Sequence, residues 1–231
     1  MRVWDIAAGY LNRDSLLGEH RELHGVHVVI TQGKFGYSRH PETLRWRKAL
    51  SGLAQRHALL VAEMTLRGYA DRTPLSARSR RISWPPTFVT EPADQLALLR
   101  VKYRQKSPGR IPLPRNVQEL WAQHKYSVMA RDVAEYQRLG RGVARLRSPD
   151  AAREVARELV VILREAPSAG GMTNALEHMW GYVREVADAE ERRAIRREPR
   201  QLLATVQALA RRSNQPYLLA STALSELAIY V

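Results

Sequence analysis

Residues 46–64 read WRKALSGLAQRHALLVAEM, and their spacing decides the fold class. Trp46, Leu50, Leu53, His57, Leu60 and Met64 recur at steps of four and three, which places them in one buried stripe along a helix. Pro41 and Glu42 suit the first turn of this helix, where a missing N–H costs nothing. Arg67 followed by Gly68 suits its end, because glycine accepts the left-handed cap. The same period returns in the second half, at Val117, Leu120, Trp121, His124 and Val128; at Val133, Tyr136, Leu139 and Val143; at Val155, Leu159 and Ile162; at Leu176, Met179, Trp180 and Val183; and at Leu202, Val206 and Leu209. Strand-like alternation is confined to short stretches such as HVVIT at 27–31, and no repeat of fixed period occurs. A mainly α fold is predicted.

Two stretches interrupt the helical pattern. Residues 72–92, RTPLSARSRRISWPPTFVTEP, mix proline, serine and arginine without a period and read as an irregular segment crossing a surface, suited to follow a phosphate backbone. Residues 106–116, KSPGRIPLPRN, are rich in proline and precede the second helical series. With 231 residues the chain exceeds the usual single domain, so two domains are expected, 1–115 and 116–231.

The chain has no cysteine, which excludes disulfides, thiolate metal sites and cysteine nucleophiles. Its longest aliphatic run, LVVIL at 159–163, is far short of the roughly 20 residues that span a bilayer, so a cytoplasmic protein with no membrane partner is expected. Net charge is +14, the electrostatic footprint of a nucleic-acid binder. Residues 1–115 carry 20 Lys and Arg against 9 Asp and Glu, whereas residues 116–231 carry 17 against 14, so the basic surplus sits in the first half.

There the stretch EHRELHG, Glu19–Gly25, stacks His20 and His24 on one helix face with Glu19 and Glu22 beside each other. A solvated amphipathic helix with internal ion pairs accounts for the pattern. A zinc grip by His20 and His24 is a second reading, but the zinc-protease pattern places Glu directly after the first His, and here cationic Arg21 stands there and opposes a divalent ion. Neither a metal nor a cofactor is expected. The remaining readings are a nucleophile served by a carboxylate, and recognition of phosphate by Arg21 and the histidines. His57, on the apolar stripe, reads as a core histidine.

The terminal MR, LLGEHRELHG at 16–25, QGK at 32–34, GYSRHPETLRW at 36–46 and RHALLVAEMTLRGY at 56–69 resemble, in order and spacing, the pyrimidine-dimer DNA glycosylase family typified by phage endonuclease V. FVTEPADQLALLRVKYRQKSPGR, at 88–110, is similar to that family's closing segment. The resemblance implies an endonuclease V-like helical domain that acts on double-stranded damaged DNA through the α-amine of its first residue. That amine attacks the sugar C1′, expels the base and forms a Schiff base that β-elimination resolves. By the same match Glu22 is the carboxylate that steers protons and stabilises the iminium. An α-amine titrates near pH ~8 when unperturbed, so a useful neutral fraction exists at pH 7, and the cationic Arg2 and Arg21 enlarge it. The phage enzyme exposes a threonine after losing its methionine, whereas here Arg2 aligns with the arginine that follows that threonine, which makes Met1 the expected nucleophile. Gly25 stands where the phage enzyme has a DNA-contacting arginine, a role left to His24 or His27. Lys34, Arg39, Lys102 and Arg104 are expected phosphate contacts, with Tyr37 and His40 placed to stack or donate near a lesion.

In the second half, LWAQHKYSVMARDVAEYQRLGRGVA, NALEHMWGYVRE and QPYLLASTALSELA resemble the YbgA-like bacterial domain, a helical module without a settled activity. The resemblance implies a helical bundle with a nucleic-acid-binding or accessory role. His124, Lys125, His178 and Tyr182 lie near apolar faces and suit either a pocket lining or core packing, and ERRAIRREPR at 191–200 suits a phosphate-binding face or a solvated one. The leading expectation is a DNA glycosylase with abasic-site lyase activity that needs no metal. Two alternatives stand beside it: a non-catalytic binder of structured or modified RNA, and a metal-dependent nuclease built on His20 and His24. The oligomeric state is not legible.

Overall fold

Asn12 opens the first helix. Its side chain accepts the Ser15 N–H, and α1 runs Arg13–Thr31 with Leu16, Glu19, Leu23 and Val26 on its buried face. The computed structural model describes residues 2–75, 81–146, 148–193 and 198–231, and among these there is no strand. The fold is mainly α. The strand-like HVVIT stretch completes α1, with the Thr31 hydroxyl donating to His27 O at 2.8 Å. Once a capped helix with a buried stripe arrives at these residues, continuing it satisfies their backbone, and β propensity yields to that context.

The single helix expected from Pro41 to Leu66 is two helices, α2 (Pro41–Trp46) and α3 (Leu50–Leu66), broken at residues 47–49. The break lets both pieces satisfy tertiary partners. Trp46 is buried with its indole N–H on Glu42 Oε2 at 3.2 Å, and Arg45 reaches Asp5 Oδ2 at 2.8 Å. At the start of α3, Gly52 N donates to Ser83 O at 3.1 Å, and a Cβ on Gly52 would lie only 2.4 Å from that oxygen, so no larger residue fits. The predicted stop stands: Gly68 takes φ +82°, and Tyr69 N closes back on Met64 O at 2.9 Å. Of the irregular segment 72–92, residues 76–80 lie outside the described residues, and the flanks carry only bends and irregular chain up to α4, Pro92–Lys102.

The chain separates into two compact units, residues 1–109 and 110–231. Arg110 goes with the second because its guanidinium donates to Leu219 O at 2.6 Å and Ser221 O at 3.1 Å. In that unit α5 (Val117–Met129) packs against α6 (Val133–Val143), α7 (Pro149–Ile162) and α8 (Ala169–Trp180). The short α9 (Ala189–Arg192) precedes α10 (Pro199–Arg212), α11 (Pro216–Leu219) and α12 (Ala223–Glu226). The apolar stripes of the sequence supply most of the buried faces of α5 to α8 and α10, but Val133, which opens the α6 stripe, is exposed, and that helix buries Leu139 and Val143. Residues 194–197 of the basic ERRAIRREPR stretch lie outside the described residues, while Glu191 there is held by Arg212 through two 2.8 Å contacts. No helix among the described residues is long and apolar enough to cross a membrane.

His124 is a core residue, with its Nδ1–H donating to Leu120 O at 2.8 Å, and burial lowers its pKa from 6.5 to about 4. Above pH 6.5 both states hold it neutral. As pH falls from 6.5 toward 4 the unfolded chain binds a proton that the folded unit refuses, so stability is lost on acidification, by up to about 3 kcal/mol. Urea midpoints of the full chain should therefore fall between pH 7 and 4.5, and the fall should shrink in His124→Asn. A slope unchanged by the substitution would contradict this account.

Candidate active site

Residues 2–7 form neither helix nor strand, yet their backbone is held in place by side chains in the manner of a borrowed sheet partner. The Arg2 N–H donates to Glu22 Oε2. The Trp4 N–H donates to Glu19 Oε1 at 2.9 Å, the Asp5 N–H to Gln95 Oε1 at 2.8 Å, and Ile6 O accepts from Arg56 Nη1 at 2.8 Å. Glu19 and Glu22 share a face of α1 because they are three residues apart. Consecutive turns of one helix thus grip alternate amides of an extended chain.

The grip rests on a buried ion pair. Arg56 Nε and Nη2 each donate at 2.8 Å to the two oxygens of Glu19, with both side chains almost fully buried. Burial pushes the Glu19 carboxyl up, opposed by the Arg56 guanidinium and the Trp4 N–H. A second pair, Arg45 with Asp5 at 2.8 Å, lies alongside, and Gln95 Nε2 bridges Asp5 Oδ2 and Thr90 O. Arg2 itself stacks its guanidinium 4.9 Å from the Trp4 ring and donates to Thr90 Oγ1 at 3.4 Å.

The structure brings Arg2 and Glu22 together, and it clusters His20 with His24. Met1 lies outside the described residues. Arg21, Lys34, Arg39, Lys102 and Arg104 are exposed, as a phosphate contact requires. His40 caps α2, its Nδ1 accepting the Glu42 N–H at 3.2 Å. Tyr37 is 69 % exposed at φ +58°, and Phe35, absent from the sequence reading, is 96 % exposed beside Lys34. Sequence reasoning also passed over Arg56, Arg45, Asp5 and Gln95. The signal was charge: Arg56 directly precedes His57, a member of the apolar stripe of α3.

On the adjacent face of α1, His20 Nε2 lies 3.1 Å from His57 Nε2 on α3 and 3.2 Å from Asp71 Oδ1. His57 is the buried core histidine that the stripe implied, and its ring nitrogen meets His20. Burial and then the charge of His20 lower the His57 pKa to about 4, and the same two causes lower that of His24. Partial burial works to raise Asp71 and is outweighed by the Thr73 N–H and the imidazoles, leaving the carboxyl below its ordinary value.

In the second unit Lys125 Nζ lies 4.9 Å from the Tyr126 ring centre and 4.8 Å from that of Tyr217, which stacks on Tyr182 at 4.8 Å. His178 stacks on Tyr126 at 6.2 Å, so three of the four polar residues flagged in this half, Lys125, His178 and Tyr182, share one aromatic cluster while His124 is core.

Residues 1–77 match the family described as pyrimidine dimer DNA glycosylase, and residues 125–227 match one described as protein of unknown function (DUF1722). No curated protein and no solved structure matches the chain.

Proposed function

We propose that this protein is a DNA repair glycosylase with abasic-site lyase activity on pyrimidine-dimer or related damaged DNA, in which the α-amine of Met1 is the nucleophile and Glu22 the proton-handling carboxylate. The observation that carries the reading is the anchoring of the Arg2 N–H on Glu22. The first α-carbon is one peptide unit from that of Arg2, about 3.8 Å, so a fixed Arg2 amide keeps the terminal amine within reach of the same carboxylate. The family match of residues 1–77 supplies the reaction class.

The amine attacks C1′ and the N-glycosidic bond breaks with departure of the base. Glu22 accepts one proton from the attacking nitrogen and returns it to the ring oxygen as the sugar opens, leaving a protonated imine beside its negative charge, while the departed base takes its proton from water. Removal of the C2′ proton then expels the 3′ phosphate oxygen and nicks the strand. The exposed cations Arg21, Lys34, Arg39, Lys102 and Arg104 hold the duplex by its phosphates, with His20, His24 and His40 on the same unit. The projecting Phe35 and Tyr37 suit a side chain that wedges into or stacks on an opened base step. The second unit adds an accessory nucleic-acid contact, for which the Lys125–tyrosine cluster has the right chemistry.

Borohydride trapping on duplex DNA carrying a thymine dimer or an abasic site tests the reading, with mass spectrometry to locate the adduct. The expected result is one covalent adduct on the Met1 amine, lost when that amine is acetylated. No adduct from a chain with a free amine would sink the proposal and favour the RNA-binding alternative.

A further inference from the structure

We infer that His20, His24, His57 and Asp71 form a binding site for one divalent transition-metal ion of the zinc class. His20 and His24 stand one turn apart on α1, His57 comes from α3, and Asp71 from the segment that follows it. One ring nitrogen of each histidine lies within 4.8 Å of the others. The three rings make a near-equilateral triangle, with centroids 4.8, 4.9 and 4.9 Å apart.

The convergence is of the kind a ligand set makes. A ring nitrogen carries one in-plane proton or one lone pair, yet His20 Nε2 faces both His57 Nε2 at 3.1 Å and Asp71 Oδ1 at 3.2 Å, and it can serve only one of them well. A single ion at the common point serves all of them. Metal–ligand bonds of about 2.0 to 2.1 Å in a tetrahedron put donor atoms about 3.3 to 3.4 Å apart; the His20 Nε2–His57 Nε2 and His20 Nε2–Asp71 Oδ1 separations of 3.1 and 3.2 Å lie close to that value, and His57 Nε2 is 3.9 Å from the other carboxylate oxygen, Asp71 Oδ2. His24 Nε2 meets the Thr73 hydroxyl at 3.1 Å, which an ion would displace, and the Thr73 N–H holds Asp71 Oδ1 at 2.9 Å, aiming the carboxylate.

The objection from sequence was the charge of Arg21. In the fold Arg21 is exposed, where water screens it, while Asp71 supplies a negative charge within the cluster. Three imidazoles and a carboxylate, in a chain without cysteine, select zinc, cobalt or nickel over magnesium or calcium. Four protein donors close the site, which marks it as structural: the ion ties the helix carrying Glu22 to α3 and to the segment after it, and it takes no part in the amine chemistry.

The test uses the untagged full-length chain, stripped by chelator dialysis and titrated with Co2+ followed by Zn2+. The expected result is visible ligand-field absorption of tetrahedral cobalt saturating at one equivalent, its displacement by Zn2+, and a rise in melting temperature with Zn2+. His24→Gln and Asp71→Asn, each confirmed folded by circular dichroism, should weaken Co2+ binding by about 10- to 100-fold or more. Absence of saturable binding in the wild-type chain, or binding that neither substitution weakens, would overturn the inference. The readout needs no DNA, so it stands or falls separately from the glycosylase proposal.

Discussion

Glu22→Gln is expected to lower the rate of strand cleavage at a dimer or abasic site by about 10²- to 10⁴-fold, the usual worth of a positioned proton-transfer group, while leaving DNA affinity nearly unchanged. The amide keeps the acceptor. A glutamine oxygen still accepts the Arg2 N–H, so the extended terminus remains gripped, and the neighbouring Trp4–Glu19 hydrogen bond is untouched. What the amide loses is basicity and negative charge, and only the chemical steps need those. Cleavage rates and DNA binding measured on the same duplex separate the two contributions, since a binding module would show no change in either. Loss of both in parallel would point to a collapsed N-terminus instead.

Arg56→Ala should destabilise the first unit by about 3 to 5 kcal/mol, because it leaves the buried Glu19 carboxylate without its two guanidinium hydrogen bonds. The Ile6 carbonyl loses its donor at the same time. Urea unfolding followed by tryptophan fluorescence measures the effect, and the double variant Glu19→Leu with Arg56→Met should recover much of the loss, since removing both charges removes the penalty of burying one. The double variant removes the Glu19 acceptor of the Trp4 N–H, which Arg56→Ala leaves in place, so its cleavage should stay below that of the wild-type chain even where stability is recovered. A single substitution costing under about 0.5 kcal/mol would contradict the buried-pair account.

Helical class and the two apolar series were legible in the sequence because a 3.6-residue stripe is a local pattern that burial converts directly into a packed face. The stripe from Trp46 to Met64 and the five stripes of the second half became helices, and Gly68 stops α3 because a left-handed cap is a property of one residue. The break at residues 47–49 was not legible. It depends on Asp5 receiving Arg45 and on Ser83 approaching Gly52, partners 40 and 31 positions away.

By itself the sequence determined the mainly α class, the basic surplus of the first half, and the pairing of Glu19 with Glu22 and of His20 with His24 on one helix, all consequences of period and composition. Tertiary structure alone decided what each face of that helix meets. One face meets the extended terminus, so Glu19 and Glu22 become acceptors for backbone N–H groups. The next face meets α3 and Asp71, so His20 and His24 gather with His57, and His20 also meets the Asp71 carboxylate. The physical reason is that a carboxylate or imidazole is read by its partner, and the partners here come from distant segments that local periodicity does not encode.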